Sequence, residues 1–346
     1  MSASAKPSEP FVRVNDLRVE FTVEGRTIRA VNGVDFDIRV GEVLGLIGES
    51  GCGKSVTLRS LLHIHPIKTT RMSGSMLVGG QEVMNLGKTD LSHYRGSVAS
   101  MVFQEPMLAL DPVCTIGSQI AETVRRHSGM SRRQARERAL EMLERVRIPS
   151  PRTRLDAYPH EMSGGMRQRA MIALALSTSP RLLLADEPTT ALDATVQIQL
   201  LLLMRELQEE LGMAAIFVTH DLSVAAEISD RVAVMYAGRI VEQGGASDVL
   251  KRPQHPYTQG LLASTVIGAM RGQRLDAIPG APPDLAELPE GCAFAPRCKR
   301  RTPECEQAVP ALVPGDDGRA TACIHAGVGE SVRAPGTSWA TGLGNP

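Results

Sequence analysis

Gly48-Glu49-Ser50-Gly51-Cys52-Gly53-Lys54-Ser55 decides how the rest of the chain is read. It fits G-x-x-x-x-G-K-[ST], a phosphate-binding loop (P-loop), in the context that pattern needs. The apolar run Glu42-Val43-Leu44-Gly45-Leu46-Ile47 leads in as a strand, and Val56-Thr57-Leu58-Arg59-Ser60-Leu61-Leu62 leads out as a helix. Glycines at 48, 51 and 53 let the backbone fold tightly, so that its N–H groups, Ser50 among them, face phosphate oxygens. The helix N-terminus adds positive potential there. Lys54 then neutralises the β- and γ-phosphates, and the Ser55 hydroxyl ligates Mg²⁺. By itself the loop specifies only a nucleoside triphosphate.

The bulk properties bound the rest. A chain of 346 residues has room for roughly two domains. Lys+Arg and Asp+Glu balance at 38 each, which argues against nucleic acid as a partner. Aromatic residues make up 3 %, too few for an extensive base-stacking surface. Residues 1–10 are polar and read as disordered, without the apolar core of a signal peptide. No apolar run approaches the ~20 residues of a membrane helix. A cytoplasmic setting follows, and with it free cysteines rather than disulfides.

Along the chain, alternating segments from Phe11 to about Asp37 suggest antiparallel strands with a hairpin turn at Gly25. Val98–Phe103 reads as a buried strand ending at Gln104. A helical insertion follows, with helices at Ile116–His127 and Ser131–Arg147. In the second, Ser131 is the N-cap and Ala135, Ala139, Leu140, Leu143 and Val146 form the apolar face. A helix from about Met166 comes after Gly164-Gly165. Strands at 181–185, 214–219 and 231–235 then alternate with helices at 194–211 and near 222–229, the pattern of a mostly parallel sheet covered on both faces. After about Lys251 the chain becomes proline-rich and holds four of the six cysteines, as a separate appendage. Its last twenty or so residues read as loose.

The chemistry-bearing residues fall at the ends of these elements. Leu182-Leu183-Leu184-Ala185-Asp186-Glu187 is an apolar strand ending in two carboxylates, and ligands of parallel sheets sit at the C-terminal strand ends. Asp186 is placed to hold Mg²⁺ beside Ser55, and Glu187 to polarise an attacking water as general base. Ser163-Gly164-Gly165-Met166-Arg167-Gln168-Arg169 offers a second hydroxyl and a second flexible helix N-terminus aimed at phosphate. It resembles the signature motif of ATP-binding-cassette (ABC) ATPases, usually written LSGGQ, with Met162 and Met166 departing from the commonest spelling. The resemblance extends over about residues 11–250. Gln104 resembles the Q-loop glutamine that senses γ-phosphate and Mg²⁺, Ala191-Leu192-Asp193 the D-loop, and His220 the switch histidine that contacts the γ-phosphate. Phe21 sits where the family places an aromatic that stacks on adenine. His63, His65, His93, His127 and His160 have no partners visible in the sequence and read as surface or packing residues.

The C-terminal part narrows the resemblance. His255-Pro256-Tyr257-Thr258, Ile278-Pro279-Gly280 and Gly291-Cys292-Ala293-Phe294-Ala295-Pro296-Arg297-Cys298 are similar to the extension of oligopeptide and dipeptide importer ATPases. Cys292, Cys298, Cys305 and Cys323 are separated by five, six and seventeen residues. Four cytosolic thiols in a loop-rich segment suit metal ligation, and this spacing is looser than the C-x₂₋₄-C of zinc sites. The resemblance implies a [4Fe–4S] cluster there; zinc, with His325 as a further ligand, and free thiols are the alternatives.

The resemblance thus implies a P-loop NTPase of the ABC type: an α/β fold with a mixed-sheet core, an antiparallel β subdomain and a helical subdomain. The expected division is a nucleotide-binding domain at 11–251, with its helical subdomain at about 107–178, a four-cysteine extension at 252–328 and a loose tail at 329–346. Such a subunit binds ATP and Mg²⁺ and pairs head to tail with a second ABC ATPase subunit, here expected to be a different chain. It works with two transmembrane permease subunits and an extracytoplasmic peptide-binding protein, peripherally, at the cytoplasmic face of the inner membrane. Three other readings remain at this point: a soluble ABC ATPase acting on nucleic acid or ribosomes, an importer subunit for nickel or another small solute, and a redox- or metal-sensing protein built around the cysteines. The single cassette, and the short span of about 130 residues between Lys54 and Asp186, count against the first.

Overall fold

The structure, a computed structural model, describes residues 9–189, 193–264 and 277–326. The expected tail at 329–346, most of residues 1–10, and Ala191 and Leu192 of the expected D-loop lie outside the described residues.

Strands Val12–Val23 and Arg26–Ile38 form the expected hairpin, closed by Glu24 and Gly25, both at positive φ (49° and 79°). Buried Val12 and Val14 are followed by buried Leu17 and Val19, so the alternation slips by one residue between the pairs. A bulge absorbs the slip, with Asp16 at φ 44°. Strand Thr70–Val78 pairs with the other side of Val12–Val23, and Gln81–Glu82 finishes this four-stranded antiparallel sheet.

Among the described residues the second sheet has eight strands. Five are parallel, in the order Ala99–Val102, Leu182–Asp186, Ala214–Thr219, Val43–Ile47, Arg231–Tyr236. Three of these, Val43–Ile47, Leu182–Asp186 and Ala214–Thr219, are buried at every position, which is why they read as unbroken apolar runs rather than alternating ones. Arg239–Gly245 continues the sheet antiparallel, and Ala320–Thr321 and Val313–Pro314 complete it.

Those last two strands correct the expectation of a separate appendage. Glu242 pairs with Thr321 and Gln243 with Ala320, so the C-terminal segment is hydrogen-bonded into the central sheet. Its Phe294, together with Tyr257, shares a hydrophobic cluster with Ile47, Val234 and Tyr236. A loop-rich segment lacking enough apolar residues for its own core gains one by borrowing.

The helical layer runs through Ile116–Ser128, Arg132–Arg145 and Gly164–Leu176. Ser131 and Gln134 make a reciprocal capping box, and Ala135, Ala139, Met142 and Leu143 form the buried face, with Leu140 only partly covered. The third helix starts two residues earlier than expected, because Ser163 is its N-cap and accepts from Met166 N, drawing both glycines into the first turn. No helix among the described residues is long and apolar enough to cross a membrane.

Candidate functional site

The P-loop leaves the C-terminal end of Val43–Ile47, between the neighbouring strands Ala214–Thr219 and Arg231–Tyr236. Two of its glycines are required by space. A Cβ on Gly48 (φ 154°) would lie 2.2 Å from the Met235 carbonyl oxygen, and one on Gly53 (φ 108°) 2.3 Å from that of Ala30. Gly53 ends the loop, and helix Lys54–Leu61 begins there with its first N–H groups uncapped by any side chain. Lys54 is buried, and its Nζ donates to the carbonyls of Gly48 (2.8 Å) and Glu49 (2.9 Å).

Ser55 Oγ donates to Asp186 Oδ1 at 2.7 Å. Asp186 is fully buried at the end of its strand, and its Oδ2 has no hydrogen-bond partner, with Arg59 Nη2 3.8 Å away. Burial raises the Asp186 carboxyl above the usual range, against the pull of the Ser55 bond and of Arg59. A hydroxyl beside a carboxylate with one orphaned buried oxygen is an oxygen donor set suited to Mg²⁺.

Glu187 follows in the left-handed region at φ 45°, which is costly for a glutamate; its N–H is anchored to Val218 O (3.1 Å) on the adjacent strand. That backbone aims its carboxylate across the edge. His220 Nδ1 lies 3.3 Å from Glu187 Oε2, and Gln104 Nε2 reaches the same oxygen at 3.4 Å. The chain thus brings Lys54, Ser55, Asp186, Glu187, Gln104 and His220 to one edge from four separate segments.

The other expected residues sit elsewhere. Ser163 and Gly164 are exposed, and the hydrogen bonds of Ser163 stay within its own helix. That helix is tied to the carboxylate strand by Gln168 Nε2 donating to Pro188 O (2.5 Å). Asp193 is exposed and caps Ala194–Leu211 through Val196 N. Phe21 is half-buried on the antiparallel sheet, edge-on to His65 at 5.4 Å. His65 does have partners: its Nε2 is 3.0 Å from Ser60 Oγ and 3.1 Å from Val56 O.

Two residues outside the sequence-derived set reach the P-loop. Tyr257 Oη accepts from Glu49 N (2.8 Å), and Arg297 grips the Glu49 carboxylate with both Nη atoms, at 2.7 and 3.0 Å. Nothing in the sequence spacing could pair them, since Arg297 lies 248 residues from Glu49.

Cys292, Cys298, Cys305 and Cys323 are all free thiols and line one small cavity, with His325 and Phe294 beside them. Cys305 Sγ is 3.5 Å from His325 Nε2. Burial raises the thiols of Cys292, Cys298 and Cys323. Among the described residues no three His, Cys, Asp or Glu side chains are close enough together to hold a single metal ion.

Comparison with known proteins identifies the assembly. A family model described as "ABC transporter" matches residues 31–190, and one described as "Oligopeptide/dipeptide transporter, C-terminal region" matches residues 241–305. The "Probable peptide ABC transporter ATP-binding protein y4tR" of Sinorhizobium fredii is 50% identical over 313 residues, 90% of this chain and 93% of the relative. The "Dipeptide transport ATP-binding protein DppD" of Bacillus subtilis is 45% identical over 316 residues, 91% of this chain and 94% of the relative. Among solved structures, the dimeric post-hydrolysis state of the ATP-binding cassette MJ0796 bound to ADP and Pi superposes with a TM-score of 0.61 at 28% identity, covering 68% of this chain and 98% of that one. An ABC ATPase fold with its phosphate loop, carboxylates and matching C-terminal region leaves one assignment: the chain belongs to the ATP-binding, ATP-hydrolysing subunits of the oligopeptide/dipeptide ABC transporter family.

Proposed function

We propose that this chain is the ATPase subunit of an importer of dipeptides or oligopeptides. It works peripherally at the cytoplasmic face of the inner membrane, with two permease subunits and an extracytoplasmic binding protein. The peptide cargo rests on the names of its relatives and on the C-terminal region. Hydrolysis rests on one observation above all: Asp186 and Glu187 stand side by side at a strand end, the first bonded to Ser55, the second to the polar partners Gln104 and His220.

In this reading Gly48, Ser50, Gly51, Gly53, Lys54 and Ser55 cradle the β- and γ-phosphates. Lys54 leaves the Gly48 and Glu49 carbonyls to meet them. Ser55 and Asp186, with Gln104, hold Mg²⁺, which supplies charge neutralisation at the phosphate oxygens. Glu187 takes the proton of the attacking water as its oxygen bonds to the γ-phosphorus, the bond to the β–γ bridging oxygen breaks, and ADP departs with that electron pair. His220 orients the γ-phosphate, and Phe21 stacks on the adenine. The nucleotide-binding domain occupies 11–251, with its helical part at about 107–178, and the extension 252–328.

Ser163, Gly164 and Gly165 complete the site of a second ATPase subunit paired head to tail, and Asp193 lies at that interface. The exposure of Ser163 and Gly164 at a helix N-terminus supports this, and the pairing is between two different chains. In the extension, Cys292, Cys298, Cys305 and Cys323 hold a [4Fe–4S] cluster. Four thiols around one cavity fit it by donor type, and a cluster accepts ligands too far apart for the ~2.3 Å bonds of one zinc ion.

The test of the paired site uses the complete transporter in lipid vesicles. Ser163→Arg in this chain should reduce photolabelling of the partner ATPase by azido-ATP and leave labelling of this chain's own loop unchanged. Loss confined to this chain's own loop would contradict the head-to-tail arrangement.

A further inference from the structure

Glu49 occupies a variable position of the P-loop pattern, yet it is fixed at three places. Its N–H is bonded to Tyr257 Oη (2.8 Å), its carboxylate to both Nη atoms of Arg297, and its carbonyl to Lys54 Nζ (2.9 Å). The first two grips come from the C-terminal part of the chain, from helix Pro256–Ala263 and the turn Ala295–Arg297.

Both gripping side chains are themselves held. Tyr257 is fully buried, with its ring 4.5 Å from that of Tyr236 and 5.4 Å from that of Phe294. The Arg297 side chain is 5% exposed; its Nε donates to Pro279 O (2.9 Å) and its Nη1 also to Tyr236 Oη (3.3 Å). The guanidinium fork therefore cannot swing away without breaking several bonds, and a partly buried bidentate pair is screened less than a surface one.

We propose that the C-terminal extension is a clamp on the P-loop of its own chain, in which Tyr257 and Arg297 are positioning residues that fix Glu49. Through the Glu49 and Gly48 carbonyls they set the place from which Lys54 meets phosphate. A glycine-rich loop has many conformations to lose when a nucleotide binds. Fixing one of its residues beforehand removes part of that loss and favours binding. The clamp acts on ground-state and transition-state binding alike, so it affects KM rather than kcat. The inference rests on the reading of Gly48–Ser55 as the ATP cradle.

The test measures ATP affinity of the full-length chain, and KM and kcat in the assembled transporter. Tyr257→Phe deletes one hydroxyl; Arg297→Lys keeps the charge and loses the fork. Each is expected to weaken ATP binding and raise KM about tenfold, with kcat within about twofold, the scale of one charge-assisted or buried hydrogen bond. Arg297→Lys added to Glu49→Gln should cost no further affinity, because both act through the same contact. ATP affinity within about twofold of the parent in Tyr257→Phe and Arg297→Lys overturns the clamp, as does an additive loss in the double variant. If Arg297→Lys fails to fold, Tyr257→Phe decides alone. Lys54→Ala separates the two levels: if it retains full ATP affinity, the cradle reading itself fails, whatever the clamp variants do.

Discussion

The phosphate-facing sheet edge and the four-cysteine segment build their sites in opposite ways. At the edge, side chains project from the ends of strands that are buried at every position, so Ser55, Asp186 and Glu187 are placed by backbone that cannot shift without opening the core. Around the cysteines, regular structure is limited to short turns such as Ala295–Arg297 and Pro303–Glu306, and to two two-residue strands. The first site is organised by the fold. The second depends on a few anchors. Perturbing the edge should therefore change chemistry and spare the fold, while perturbing the cysteine segment should change stability first.

The largest expected effect is at the edge. Glu187→Gln should lower ATP turnover by about 10²-fold or more, the scale of a general base, with ATP still bound and the melting temperature unchanged. Turnover within about threefold of the parent would remove Glu187 from the role of base.

The cysteine segment gives the next effect. Purified without oxygen, the chain should carry about four iron and four sulfide per molecule and be brown. Cys298→Ser should lose them, melt at lower temperature and, through Arg297, bind ATP more weakly. A colourless protein with one zinc would replace the cluster.

The smallest effect concerns His255, which sharpens the contrast because it anchors the extension from the wall of the cysteine cavity without being one of the proposed cluster ligands. It is buried, and its Nδ1 accepts from Tyr257 N (3.0 Å) to cap the helix. Burial pushes its pKa down to about 4, with a backbone bond to Ala322 working the other way. Between pH 6.5 and about 4 the unfolded chain takes up a proton that the folded chain refuses. His255 thus costs stability as pH falls through that window, by up to about 3 kcal/mol. Buried Glu242, which accepts from His255 N (3.0 Å), is raised by burial and has the opposite slope, losing stability as pH rises. His255→Asn, which keeps a capping acceptor, should flatten the acid side of a melting-temperature profile. An unchanged slope would mean that His255 protonates in the folded state.

Much of the nucleotide edge was legible because its parts are local patterns. The loop, the apolar strand ending in Asp186-Glu187 and the Ser163 cap each carry their own signal within eight residues or fewer. The histidines and the extension were less legible. His65 meets Ser60 and Phe21 only because the chain returns from the helix onto the antiparallel sheet. The composition shift after Lys251 suggested a detached appendage, since proline and cysteine report local backbone and not the partner surface. Only the pairing of Gln243 with Ala320 reveals that the segment extends the central sheet.

The sequence by itself determined many of the elements and the motifs at their ends, because periodicity and short motifs are written in neighbouring positions. The tertiary structure decided which of them meet. Asp186 reaches Ser55 across 131 residues, His220 and Gln104 converge on Glu187, and Arg297 returns to a loop residue that looked free to vary. Strand order and burial set such contacts, and a linear pattern encodes neither. The P-loop that by itself points only to a phosphate is flanked within its own chain by a carboxylate edge on one side and a C-terminal grip on the other.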